Sequence, residues 1–225
     1  MDLNRPKLKQ LAISKIPIFK SIAPLGQEQL AALLVLCEFK KDQPIIVSNQ
    51  PGREIMFVAD GAVDVKRSNL DGREVIVSRL GQGDFFGEIS ILTESNRTAD
   101  VSAAEDSMLL ILQAHDFETL LSAHREFARA FLVHLAARVA AASTRIADLA
   151  LLDVYCRVYK VLQSLATLNP AGELHVAERP THRDLAAMVG TSREMVTRAL
   201  TRLSEDKIIQ SDGPALKIVG RLAVY

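Results

Sequence analysis

The 225-residue chain predicts an α+β fold in three parts: a jelly-roll-like N-terminal β-roll with helical flanks, one long helix, and a C-terminal winged helix-turn-helix. Three observations carry this. Short alternating segments between turn residues fill positions 37 to 113, the pattern of antiparallel strands. Neither Gly nor Pro occurs from 124 to 152, so one helix can run through. Two helix-start signals flank a glycine between Thr181 and Lys207. The expected boundaries are 1–122, 123–152 and 153–225.

In the first part Gln27 to Leu36 predicts a helix ahead of the strands. EIMFVAD, AVDVKRS and EVIVSRL come next, separated by Gly61 and by an Asp71-Gly72 turn. Glycines at 52, 61, 72, 81, 83 and 87 suit corners that need positive φ. In the long helix Ala128, Leu132, Leu135, Val139, Ala142, Ile146 and Leu149 recur at steps of four and three. That is the seam of a helix packing on a copy of itself, with packing on its own domain as the alternative. Phe127, Phe131 and Val133 are left to face the roll. A second helix is expected from Asp153 to about Leu168, ended by Asn169-Pro170-Ala171-Gly172.

At the C-terminal end Thr181 with Asp184 begins a short helix, Gly190 ends it, and Ser192 caps the next. Val196, Ala199, Leu200 and Leu203 form the buried face of that second helix, opposite Arg193, Glu194, Thr197 and Arg198. In a major groove an arginine can donate twice to guanine and a carboxylate can accept from cytosine. Arg193, Glu194 and Arg198 are therefore candidates to read bases, the alternative being a solvated Glu194–Arg198 pair. Thr181, Arg183 and Ser192 are candidate phosphate contacts. The segment 207–221 reads as a two-stranded wing, with Lys217 and Arg221 as further phosphate candidates.

Charge alone names no partner: 27 basic residues balance 27 acidic ones. From 173 onward eight basic residues meet seven acidic ones, so affinity for DNA must come from where the arginines point. A 48% hydrophobic and 24% charged composition excludes a largely disordered chain. Cys37 and Cys156 lack metal-ligand spacing and read as reduced thiols in a cytoplasmic setting. The start has no signal-peptide pattern, and no run approaches the ~18 apolar residues of a membrane span, so no membrane partner is expected. No nucleophile–base pair or Walker-type loop points to an enzyme.

Residues 81–103 hold the second candidate site. Gly87-Glu88-Ile89 opens a helical turn, and Arg97-Thr98-Ala99 begins a strand. Arg97 offers a fork for an anion, Thr98 a hydroxyl, and Glu88 an acceptor for a sugar hydroxyl. The alternative is an Arg97–Glu88 ion pair bracing a loop.

The FGE…RTA cassette, the glycine-spaced strands, the long helix, LALLDV (149–154) and TSREMVTRAL together resemble the cyclic-AMP receptor protein and fumarate-nitrate reduction regulator family of bacterial transcription factors. The resemblance runs from IPIFKSIAPL to the wing. It implies a homodimer through residues 128–149, gated by cyclic AMP, with cyclic GMP, cyclic di-GMP or effector-free DNA binding as alternatives. A regulatory subunit acting on a partner protein is the more distant one. The resemblance places Glu88 on the ribose, Arg97 and Thr98 on the cyclic phosphate, and backbone at Gly87 and Ile89 beside it. Where some members carry two adjacent hydroxyl residues for adenine, this chain has Ala142 and Ser143, with Thr144 one place on, about 100° around the helix. Arg193, Glu194 and Arg198 match the base-reading positions, implying double-stranded DNA with a palindromic TGTGA-like operator and RNA polymerase as partners. A hairpin that is acidic in some members reads Lys66-Arg67-Ser68-Asn69 here. The N-terminal cysteine cluster of the oxygen-sensing members is absent, so no metal is expected.

Overall fold

The structure is a computed structural model that describes residues 5–22, 24–68, 74–169 and 172–222. The Asp71-Gly72 turn, Asn69 and the Pro170-Ala171 step lie outside the described residues. The chain forms two compact units, residues 1–71 with 76–138 and residues 72–75 with 139–225.

The first unit opens with α1 (Arg5–Ser14), a 3₁₀ turn (Pro17–Ser21) and α2 (Pro24–Leu33). The strands are β1 (Val35–Phe39), β2 (Pro44–Ile46), β3 (Glu54–Asp60), β4 (Val63–Ser68), β5 (Glu74–Leu80, of which 76–80 fall in this unit), β6 (Phe85–Phe86), β7 (Asp100–Ala103) and β8 (Ser107–Gln113). They form two four-stranded sheets, ordered β1-β8-β3-β6 and β2-β7-β4-β5. The expected helix to Leu36 ends at Leu33, because Val35 and Leu36 pair with Ile111 and Leu110 across β1 and β8. Sheet pairing there outweighs local helix propensity. α3 (Glu88–Leu92) bridges β6 and β7, and α4 (Ala114–Ala123) comes after β8.

Next comes α5 (Arg125–Leu151), the long helix expected from its freedom from Gly and Pro. Phe127 and Phe131, four residues apart on one face, are buried in the core of the first unit. Phe131 stacks on Phe85 with ring centroids 4.7 Å apart and meets Phe117 edge-on at 5.1 Å. Burying each such ring contributes about 1.5–3 kcal/mol. Val133 does not join them: two residues on from Phe131, it is turned about 200° around the helix and is 60% exposed.

The second unit contains α6 (Val154–Leu165), β9 (Thr167–Leu168), β10 (Leu174–Val176), α7 (His182–Val189), α8 (Arg193–Glu205), β11 (Ile209–Asp212) and β12 (Ala215–Ile218). The α6 helix stops at Leu165, three residues short of the expectation, because Thr167 and Leu168 pair with His175 and Leu174. Asp153 starts it by accepting the Cys156 N–H at 2.8 Å. The wing strands β11 and β12 extend into a four-stranded sheet, β11-β12-β10-β9, whose β9–β10 half lies ahead of α7 in the chain. Cys37 and Cys156 are free thiols.

Candidate functional sites

In the first unit the segment from β6 to β7 is built around Arg97. Gly87, at the start of α3, has φ of 86°, and a Cβ there would lie 2.6 Å from Arg97 Nη1 and 2.7 Å from the Glu54 carbonyl oxygen. A Cβ at Gly52 would lie 1.8 Å from Arg97 Nε. Only two glycines leave room for the guanidinium, which is 5% exposed. Its Nη1 donates to the Gly87 carbonyl at 2.9 Å and to Ser90 Oγ at 3.0 Å. Its Nη2 donates to the Glu54 carbonyl at 2.9 Å and to Glu54 Oε2 at 2.8 Å.

The Arg97–Glu88 pair weighed from the sequence is replaced by two other pairs. Arg97 takes Glu54, while Glu88, whose side chain is 3% exposed, accepts from Arg138 Nη1 at 2.8 Å. Arg138 also donates to the Phe85 carbonyl at 3.2 Å. One turn earlier on α5, His134 Nε2 lies 3.3 Å from Asp84. Burial pushes the Asp84 carboxyl up, but hydrogen bonds from His134 and the Gly81 amide, with the His134 and Arg138 charges, hold it below its ordinary value overall.

Of the other candidate ligand contacts, Ile89 and Thr98 are exposed. The Thr98 carbonyl accepts from Arg67 Nε at 3.1 Å and Nη2 at 2.9 Å, which ties the Lys66–Ser68 arm down. Ser143 and Thr144 belong to the part of α5 in the second unit and are exposed. Their hydroxyls donate back to the Val139 and Ala140 carbonyls at 3.0 and 3.1 Å.

In the second unit both expected caps form. Thr181 Oγ1 accepts the Asp184 N–H at 3.1 Å and donates to Asp184 Oδ2 at 2.7 Å. Gly190 ends α7 in the left-handed region, and Ser192 Oγ accepts the Met195 N–H at 3.3 Å. Val196, Ala199, Leu200 and Leu203 are buried, which leaves Arg193, Glu194 and Arg198 together on the exposed face of α8, with Arg183 exposed on α7. The Glu194 carboxyl is held below its ordinary value by its own backbone N–H, the Ser192 hydroxyl, and the charges of Arg193 and Arg198.

The chain matches the cyclic nucleotide-binding domain family over residues 36–124 and the Crp-like helix-turn-helix domain family over residues 156–222. It is 31% identical over 196 residues to the cyclic AMP receptor protein of Thermus thermophilus, covering 86% of this chain and 88% of that one. The chain belongs to the cyclic-AMP receptor protein family.

A second member of that family, the CRP-like cAMP-activated global transcriptional regulator of Mycobacterium tuberculosis, is 27% identical over 209 residues, 92% of this chain and 93% of that one. Among solved structures, the Thermus thermophilus catabolite activator protein superposes with a TM-score of 0.52 at 30% identity, covering 90% of this chain and 93% of that one. The regulator CLP of Xanthomonas campestris gives a TM-score of 0.76 at 22% identity over 88% of this chain and all of that one, a likeness of fold.

In this member of the family, three features went unread in the sequence. Lys217, a phosphate candidate from the sequence, has its ammonium held by the Glu173 carboxylate. His182 Nδ1 lies 2.9 Å from Thr197 Oγ1, a hydroxyl that is also 3.0 Å from the Arg193 carbonyl oxygen. Burial and the charges of Arg179 and Arg193 lower the His182 pKa. Third, α5 is long and apolar enough by composition to cross a membrane, and little of that apolar stretch is buried. Arg138 and Arg145 break the apolar run, so counting uninterrupted residues does not find it. The bare residues include Leu132, Val139 and Ile146, seven apart and 64 to 68% exposed.

Proposed function

We propose that the chain is a homodimeric, cytoplasmic transcription regulator whose binding to a palindromic TGTGA-like operator is gated by a cyclic nucleotide, cyclic AMP first. The observation that carries the reading is the buried Arg97 fork, seated between Gly52 and Gly87 inside the segment matching the cyclic nucleotide-binding domain family. A guanidinium is the donor that suits a phosphodiester anion. Relatives named as a cyclic AMP receptor and as cAMP-activated support that choice of effector.

In this reading Arg97, Thr98 and the backbone at Gly87 and Ile89 hold the phosphate, Glu88 the ribose, and Ser143 and Thr144 lie on the adenine side. The exposed Leu132–Val139–Ile146 stripe supports a dimer seam, because three large aliphatic residues at heptad spacing are costly to leave in water. Dimerisation sets two α8 helices on successive half-sites. Arg193, Glu194 and Arg198 read bases; Arg183, Thr181 and Ser192 touch phosphates, and RNA polymerase is the downstream partner. The effector acts only through its preference for the DNA-competent arrangement.

A second reading, DNA binding without an effector, is favoured by the pairing of Arg97 with Glu54 and by the return of the Ser143 and Thr144 hydroxyls to their own helix. Titration with cyclic AMP, cyclic GMP and cyclic di-GMP, read out on a TGTGA palindrome, separates the two. Tight binding that no nucleotide changes would overturn gating. Arg193→Ala should cost about 1–3 kcal/mol on the palindrome; an equal loss on random DNA would reduce Arg193 to a phosphate contact.

A further inference from the structure

We propose that Glu54 sets the affinity and selectivity of the pocket: its carboxylate occupies an exchangeable position on Arg97 that an anionic ligand can take, and the ligand must displace it. The inference rests on the reading that Arg97 receives the cyclic phosphate.

Arg97 itself has little freedom. Gly52 and Gly87 close on its guanidinium, and both bonds of Nη1 and one of Nη2 go to the Gly87 carbonyl, Ser90 Oγ and the Glu54 carbonyl. Those three acceptors belong to β3, the turn into α3 and α3 itself, and Ser90, 5% exposed, is fixed in turn by donating to the Gly87 carbonyl at 3.1 Å. A ligand cannot replace them without dismantling the loop. The fourth acceptor differs. Glu54 Oε2 lies 2.8 Å from Nη2, but its side chain is 36% exposed while that of Arg97 is 5% exposed. Its other contact is the neighbouring Arg53 N–H at 3.2 Å.

The asymmetry identifies which partner moves. A buried guanidinium that loses its acceptor is left uncompensated, whereas a carboxylate at the surface recovers water when it turns away. An incoming phosphate supplies the compensation and takes over the position. Glu54 therefore weakens every ligand that bonds Arg97 through an anion, and leaves a ligand of similar shape without a phosphate unaffected. A carboxylate beside a phosphate site also repels the phosphate if it does not leave, so displacement and binding are one event.

The test is calorimetry on the full chain with cyclic AMP and with adenosine, for the wild type, Glu54→Gln, Arg97→Ala and the double variant. Glutamine keeps an oxygen for Nη2 and removes the charge. Glu54→Gln should bind cyclic AMP roughly tenfold more tightly or better, since charge-assisted bonds are about twice as strong as neutral ones, with adenosine affinity unchanged; Arg97→Ala should lose cyclic AMP in both backgrounds. Equal or weaker binding by Glu54→Gln, with Arg97→Ala still inactive, makes Glu54 a structural brace and leaves the pocket reading standing. Full cyclic AMP affinity in Arg97→Ala overturns the pocket itself, as does no binding by either the wild type or Glu54→Gln. Should Glu54→Gln fail to fold, a crystal structure of the wild type with cyclic AMP decides: a phosphate oxygen on Nη2 with Glu54 turned outward supports displacement, and Glu54 still on Nη2 refutes it.

Discussion

Replacing Arg138 by Met tests the bracing of the first unit by α5. Methionine keeps the aliphatic stem and removes the bonds to Glu88 Oε1 at 2.8 Å and to the Phe85 carbonyl at 3.2 Å. Removing one partner of a fully buried pair costs about 3–5 kcal/mol, and exposed pairs couple by about 0.2–1 kcal/mol. Here Glu88 is 3% exposed and Arg138 30%, so water reaches one end of the pair and an intermediate loss of about 2–3 kcal/mol is expected. With a urea slope of about 2 kcal/mol/M, the midpoint should fall by about 1 M. Far-UV circular dichroism tracks the transition. Because the sequence has no tyrosine before position 155, and Tyr155 and Tyr159 lie in the second unit, tyrosine fluorescence is the control. Glu88→Gln and the double variant complete a double-mutant cycle. A coupling below about 0.5 kcal/mol, the level of a surface pair, would refute the argument.

Gly52→Ala places a Cβ where Arg97 Nε now lies, 1.8 Å away, so it should cost about 1–3 kcal/mol and abolish cyclic AMP binding; a variant unchanged in both thermal unfolding and calorimetry would remove the glycine slot from the account. Val139→Glu puts a charge in the middle of the exposed stripe and should weaken dimerisation at least about a hundredfold, read by sedimentation equilibrium, with unchanged mass at micromolar concentration counting against the seam. Tyr155 is pushed up to about 12 by burial, then by its bond to Asp206 and that residue's charge. Its folded pKa lies above the unfolded value near 10, so its stabilisation is complete below about pH 10 and is lost as pH rises through 12. Ultraviolet tyrosinate absorbance should show a late-titrating phenol that Tyr155→Phe removes.

What could be read from the sequence was what neighbours in the chain decide among themselves. The strands at 54–60 and 74–80 form as written, because alternation and glycine-marked ends are local signals. The caps at Thr181 and Ser192 form for the same reason, each bonding three residues ahead. Failures cluster where distant residues meet. Arg97 finds Glu54 across 43 positions, Arg138 finds Glu88 across 50, and Lys217 finds Glu173 across 44. No spacing rule reaches that far, so Arg97 and Glu88 were plausible partners only because they are near in sequence. The helix ends at Leu33 and Leu165 moved for a related reason: sheet partners claim Val35 and Leu36 beyond the first, and Thr167 and Leu168 beyond the second. His134 and Arg138, at i and i+4 on one helix face, were the only sequence signal for the brace to Asp84 and Glu88.

The Glu173–Lys217 pair has a consequence for how the wing meets the genome. A lysine neutralised by a carboxylate at the edge of its own sheet releases fewer counterions when it approaches DNA. Each phosphate contact withheld makes the logarithmic salt dependence shallower by about one unit. On the proposed reading such a wing adds little to the hold on arbitrary sequence. Glu173→Gln would free the lysine, and the protein would then grip all DNA better and distinguish its operator less well.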